Sequence, residues 1–282
     1  MVKVAFFVDW ENFKQDIYTV QKVTRNRIMN FHDPEDMIKL FSGFVEEDEK
    51  ILRIFFYSSY PLRPKNMFDA IMERKNLTQN QKNKFKKYFA ENEKDLKNFY
   101  DETSSFFDDL AGADYISIRA GELKVNGLHE DASPIFVQKQ VDMLMGLDIA
   151  HVSYRKHVDK VIIFSKDTDI RPALQTAQNN GIFTIIGNLE NSYQPPDALK
   201  RYTDHVRTRS IKEIFSDRIK TNNNSKKNNQ KKKSNPKNKV RKNNNNEKLI
   251  AKTKTSNNKS NKVDPKNNRK KPQNNRKKVK EA

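Results

Sequence analysis

The chain has 282 residues and a formal net charge of +19, with no cysteine and only seven glycines. Without cysteine it has no disulfide, thiolate zinc site or cysteine nucleophile, and without a GxGxxG or Walker A loop it offers neither a Rossmann dinucleotide site nor a P-loop. No run of 18 apolar residues is long enough to span a bilayer, and the apolar start is too short for a signal-peptide core, so a cytoplasmic protein without membrane contact is expected. Val2–Val8 (VKVAFFV) reads as a buried parallel strand that stops at Asp9. A helical pattern covers 11–29, and Asp33-Pro34-Glu35 marks the cap of a second helix running to about Val45. Ile51–Ser58 is a second buried strand. Residues 62–111 interleave Lys and Glu with Phe85, Phe89, Leu96, Phe99 and Phe106 at helical spacings, the pattern of a helical hairpin inserted into an α/β frame. Tyr115–Arg119 reads as a third strand, with Glu122–Asn126 extending it beyond a turn at Gly121, and Gln138 to Tyr154 reads as a helix. Lys160–Ser165 is a fourth strand, 170–180 a helix closed by Gly181, and Phe183–Ile186 a fifth strand. A last helix follows Pro195-Pro196, then an extended piece near Val206, then Ile211–Ile219.

Strands alternating with helices predict a three-layer α/β sandwich around a parallel sheet of about five strands, spanning residues 1–219. Beyond it the composition changes. Residues 220–282 hold 23 Lys and Arg against three acids, net +20, which leaves 32 bases and 33 acids, net −1, for residues 1–219. No Phe, Tyr or Trp follows Phe215. Such a segment cannot bury enough apolar surface to offset its ordering entropy, so a disordered Lys/Asn-rich tail is expected. Its basic runs, among them Lys231, Lys232, Lys233, Arg269, Lys270, Lys271, Arg276, Lys277 and Lys278, suit phosphate contacts. With no aromatic among them they offer no stacking platform for bases.

In open parallel sheets ligands bind beyond the carboxyl ends of the strands. Asp9 follows the first strand, Asp167 and Asp169 follow the fourth, and Asp142 stands near the start of an apolar helix. Each has an ordinary reading as a turn former or helix cap. Together, beside interior sequence and with no run of Lys or Arg nearby, they suit a divalent cation that prefers oxygen ligands. Asn12 is placed to orient a carboxylate or a water molecule. Asp148, six residues beyond Asp142, lies some 120° off its helical face at ~100° per residue and ranks behind it.

VDWENF at 8–13, KQVDMLMGLDIA at 139–150 and FSKDTDIRPALQTAQNNGIFTIIG at 164–187 resemble the motifs of the NYN domain family, the LabA-like branch of PIN-like nucleases. That pattern is a strand with D-x-x-N, a helix bearing V-D, then S-G-D-S-D-F, a helix and a glycine-led strand. Two departures stand out: Lys166 replaces the usual glycine, putting a side chain where a phosphate or the backbone would approach, and Ile170 replaces the usual aromatic, a packing change. The resemblance implies a metal-dependent ribonuclease in which Asp9, Asp142, Asp167 and Asp169 hold Mg²⁺ or Mn²⁺ and carry the chemistry, with Asn12, Asp148 and Lys166 in support. The partner it implies is RNA, single-stranded or structured; self-association into a homodimer stays open. An inactive scaffold that binds RNA or a protein is the alternative. A haloacid-dehalogenase-like reading of Asp167-Thr168-Asp169 fits less well, because Arg171 occupies its fifth place and the motif follows the fourth strand rather than the first.

Overall fold

The first apolar run forms the middle of the sheet. In the computed structural model, which describes residues 1–24, 29–30 and 32–218, β1 (Val2–Asp9) pairs in parallel with β2 (Glu49–Ser59) on one side and β5 (Lys160–Phe164) on the other. Both of its faces are covered, which is why the run is unbroken rather than alternating. Val4, Phe6 and Val8 enter one layer, Ala5 and Phe7 the other, and all five are fully buried. With β3 (Ile116–Leu128), β4 (Pro134–Lys139), β6 (Phe183–Leu189) and β7 (His205–Arg209) the sheet has seven strands in the order β4-β3-β2-β1-β5-β6-β7. Every neighbouring pair is parallel except β3 and β4.

Helices cover both faces. On one lie α1 (Trp10–Thr24), α2 (Pro34–Ser42), α8 (Ile211–Ile214) and the last turns of α4 (Gln79–Ala111), around Phe13, Phe41, Phe164 and Phe215. On the other, α5 (Val141–Tyr154), α6 (Arg171–Asn179) and α7 (Asp197–Lys200) pack around Phe7, Met145, Ile163 and Leu174. The helical pattern over 62–111 resolves into α3 (Pro64–Glu73) and the 33-residue α4, whose N-terminal half packs with α3 and the β3–β4 ribbon around Met67, Ile71, Phe85, Leu96 and Val125. A capping box opens α4: the Thr78 hydroxyl accepts from the Gln81 N–H, and the Gln81 side chain returns to the Thr78 backbone.

The three-layer sandwich agrees with the sequence; the strand count rises from five to seven. β3 runs straight through Gly121 instead of turning there. β4 occupies residues assigned partly to the following helix, because it is a short edge strand opening on Pro134 whose apolar stretch, Ile135–Val137, gives way to polar Gln138 and Lys139. The extended piece near Val206 is the parallel edge strand β7. The expected disordered tail, and residues 25–28 of the first helical pattern, lie outside the described residues.

The amino ends of the strands are held by charge. Glu49, at the start of β2 with a fully buried side chain, accepts two hydrogen bonds from Arg207 of β7, at 2.7 and 2.9 Å, and one from Lys160 of β5 at 2.8 Å. Burial alone would raise its pKa, but these hydrogen bonds and one from the Glu46 backbone lower it to about 2. Glu49→Gln removes the buried charge that Arg207 and Lys160 share, leaving Arg207 only Glu46 at 3.4 Å and the Phe44 carbonyl, and is expected to lower stability by about 3 kcal/mol in urea unfolding at neutral pH. A carboxyl with a depressed pKa stabilises the fold above its ordinary titration range and loses that contribution as pH falls through the folded value. The gap between wild type and variant should therefore narrow as pH drops from about 4.5 toward 2; a gap independent of pH would show that the ion pair does not carry the stability.

Candidate functional site

At the opposite, carboxyl edge the chain collects acids. Asp9 closes β1, and the pairing of Val8 with Phe164 brings the residue after β5, Ser165, alongside it. Asp9 is 8 % exposed. Its Oδ1 accepts from the Asn12 N–H at 3.1 Å, so Asp9 caps α1, and its Oδ2 accepts from the Ser165 hydroxyl at 3.3 Å. The same hydroxyl oxygen accepts from the Asp167 N–H at 3.1 Å, and Asp167 Oδ1 accepts from the Asp169 N–H at 2.9 Å, capping the short 3₁₀ turn Thr168–Ile170. The capping roles of Asp9 and Asp167 are thus real. Their effect is to lock two carboxylates and one serine into a single connected unit across neighbouring strands.

Asp142 arrives from the other face of the sheet, in the first turn of α5. Two features aim it. Gln140 adopts a left-handed backbone, φ 72°, costing on the order of 1 kcal/mol or more for a non-glycine residue. Gly121 of β3 lets the junction come close: a Cβ there would stand 2.4 Å from the Lys139 carbonyl oxygen and 2.8 Å from Val141. Asp142 is exposed, not interior; its apolar sequence neighbours Met143 and Leu147 are themselves 69 % and 62 % exposed. Even so, the Asp142 pKa is raised, first by desolvation within the surrounding protein and then by the charges of Asp167 and Asp169. Among the described residues no Lys or Arg pairs with any of these three acids. Asp167 therefore belongs to both groups: it is linked to Asp9 through Ser165 and repels Asp142.

The supporting residues sit differently from their expected positions. Asn12 orients Asp9 through its main-chain N–H. Asp148 is engaged elsewhere, accepting from the Tyr57 hydroxyl at 2.8 Å and from Arg119 Nε at 2.9 Å; Tyr57 is held protonated by burial and by this carboxylate. Lys166 does not face the site: its ammonium turns back to Asp16 Oδ1 at 2.7 Å, Ser192 Oγ at 3.3 Å and the Tyr193 carbonyl. Burial lowers the Lys166 pKa, while the bond to Asp16 opposes that shift. Asp16 and Ser165 went unnoticed in the sequence. Asp16 had a signal: it stands one helical turn beyond Asn12, on the buried side of α1.

Oxygen-only donors suit a hard cation such as Mg²⁺ or Mn²⁺ and not a soft one. Among the described residues no three His, Cys, Asp or Glu side chains stand close enough together to enclose an ion. Mg²⁺ does not require such a cage, since it keeps several waters and takes one or two carboxylates plus substrate phosphate. A cluster of like charges with no paired base, carried by donors of this chemistry, fits that mode of binding.

A family model for the NYN domain matches residues 3–211. The chain belongs to the NYN domain family. NYN domains are PIN-like, associated with nucleic acids and generally nuclease-like, and such nucleases usually use divalent metals. No curated protein sequence matches this one significantly. Among solved structures, a protein of unknown function from Vibrio parahaemolyticus is 13 % identical and aligns over 76 % of this chain and 95 % of its own, with a TM-score of 0.40. Among the described residues no helix is long and apolar enough to cross a membrane.

Proposed function

We propose that this NYN protein is a metal-dependent ribonuclease that hydrolyses phosphodiester bonds at the carboxyl edge of its sheet, with Asp9, Asp142, Asp167 and Asp169 as its acidic centre. The observation that carries the reading is the placement of Asp142 near the Asp167–Asp169 turn, with no Lys or Arg among the described residues paired to any of the three; desolvation first, and then the charges of Asp167 and Asp169, raise the Asp142 pKa. A fold has no structural use for such repulsion, whereas a cation relieves it. Asp142 and one carboxylate of the Asp167–Asp169 turn would hold the ion, with Asp9 beside them. A bound divalent cation supplies Lewis-acid charge against the phosphate oxygens and activates water as nucleophile. The chain's own residues do the positioning. The Ser165 hydroxyl and the Asn12 N–H fix both oxygens of Asp9, and the caps of α1 and the 3₁₀ turn hold the loop after β5 rigid. Lys166, neutralised by Asp16, leaves the approach free of a competing cation. The acids repel RNA until metal is present, so attraction must come from elsewhere; residues 220–282, net +20, provide it through counterion release.

The test is cleavage of a labelled single-stranded RNA by the full-length protein in Mg²⁺ or Mn²⁺, against the same reaction in EDTA. Cleavage that is lost in EDTA and restored by metal is the expected result. The ion should also raise the melting temperature: at a hundred times its Kd it contributes about 2.7 kcal/mol, or roughly 5–10 °C for a domain of this size, and Asp9→Asn should reduce that shift. RNA bound but left intact in Mn²⁺, with no thermal shift, would favour the inactive scaffold.

A further inference from the structure

Next to the acids, on the side of β2, lies a cavity of about 150 Å³ that the ribonuclease reading does not use. Its walls are largely apolar, with one aromatic side. Trp10, the residue immediately after Asp9, stands 5.1 Å from Phe56 and 6.2 Å from Phe106, centroid to centroid, and Phe106, Phe107 and half-buried Phe99 of α4 line the cavity with it, while Leu62, Met67 and Leu96 are among its aliphatic residues. An apolar cavity of this volume accommodates one aromatic ring of about benzene size. It is not wholly apolar. The last two residues of β2, Ser58 and Ser59, border it at 2 % and 7 % exposure, but their hydroxyl oxygens are fully enclosed and do not face its interior. Gln138, half-buried and four residues before Asp142, brings a polar side chain, an amide, to the lining.

We propose that this cavity receives one unstacked nucleobase of the RNA strand whose phosphate lies at the acidic centre, an inference that rests on the proposed function. The walls select a flat ring, since a base stacked on aromatic side chains is stabilised whatever its identity. Gln138 selects a ring with polar edges, since its amide offers both donors and an acceptor. Charge selects a neutral ligand. The Lys14 ammonium in the lining is held by Glu11 at 2.6 Å, and burial together with Lys14 lowers the His32 pKa, which keeps that imidazole neutral. The phosphate is thus not drawn into the cavity, and the adjacency of Trp10 to Asp9 keeps base and phosphate on neighbouring elements. Bases of a duplex are unavailable to such a slot until flipped, so the proposal makes single-stranded or looped RNA the substrate class.

Trp10 is the only tryptophan of the chain, so its emission reports the cavity directly. The experiment titrates the full-length protein, without metal, with each of the four ribonucleosides. Saturable quenching by at least one of them is expected, and Gln138→Ala should weaken it about tenfold, the loss of one to two hydrogen bonds. In parallel, single-stranded oligoribonucleotides carrying one abasic residue at successive positions are tested for binding by anisotropy. One position should weaken binding by about tenfold or more, the scale of a single stacked base. Absence of quenching by all four nucleosides, quenching unchanged in the Gln138 variant, or affinity insensitive to every abasic position would each overturn the proposal. None of these readouts requires catalysis. Nucleoside binding without cleavage in Mn²⁺ would sink the ribonuclease reading alone, and cleavage without nucleoside binding would sink only this one.

Discussion

Replacing Asp142 with Asn should abolish RNA cleavage while leaving the fold as stable as before or slightly more so. The loss of rate follows from the role given to the carboxylate. Residues that merely orient metal ligands typically contribute 10- to 100-fold to affinity or activity, so removing a direct ligand should cost about 100-fold or more in kcat, with a smaller thermal shift on adding Mn²⁺. The stability result separates this role from a structural one. The folded-state pKa of Asp142 is raised, by desolvation first and then by Asp167 and Asp169. Ionising it therefore costs the folded state more than the unfolded one. The penalty is absent at low pH and sets in as pH rises through the ordinary carboxylate range toward the raised value. Asn carries no charge and escapes it. Because Asp142 is exposed, solvent screens much of the repulsion, and the variant's gain should not exceed about 2 °C in Tm at neutral pH. A cap or core residue would behave in the opposite way, with Tm falling on substitution. A variant that melts several degrees lower and keeps its activity would place Asp142 among the structural residues.

What could be read from the sequence was whatever has a local cause. β1 and β5 are buried on both faces and so appear as unbroken apolar runs, and each ends abruptly in polar residues because the sheet ends there. The positions of Asp9, Asp167 and Asp169 follow from those strand ends alone. What depends on partners distant in the chain stayed hidden. β4 has only a short apolar stretch, Ile135–Val137, and only β3 pairs with it. Lys166 stands in its local motif where a phosphate or the backbone would approach, and only the packing of α1 against β5 shows that Asp16, 150 residues away, takes its charge. Asp148 sits in an apolar helix much as Asp142 does, yet Tyr57 and Arg119 from two other strands turn it into a structural ion pair. Asp142 itself was identified for a reason the structure revises: apolar neighbours in sequence suggested burial, but α5 turns several of those neighbours outward. The cavity bordered by Ser58 and Ser59 could not be foreseen either, since β2 looks like any other buried strand until α4 closes over it.

Deleting residues 220–282 should raise KM for RNA and flatten its salt dependence while leaving kcat nearly unchanged. The deleted segment carries 23 Lys and Arg, whereas the remaining 219 residues have a net charge of −1 and present an acidic centre to the substrate. Long-range attraction of RNA must then reside largely in the segment removed. Binding to single-stranded RNA weakens with salt by about 0.7 in log K per log unit of salt for each phosphate neutralised. If only about six of the bases engage phosphates, raising salt from about 50 to 200 mM weakens the full-length protein several hundred-fold. The truncated protein should lose little across the same range, because it has few counterions to release. The chemistry is unaffected, since contacts to remote phosphates are equally strong in ground and transition states and so enter KM and not kcat. Steady-state cleavage at several salt concentrations, measured on both proteins, decides the matter. An unchanged KM with an unchanged salt slope would show that the basic segment does not recruit RNA. A fall in kcat equal to the rise in KM would show that it acts on the transition state, and would move it from recruitment into the catalytic machinery.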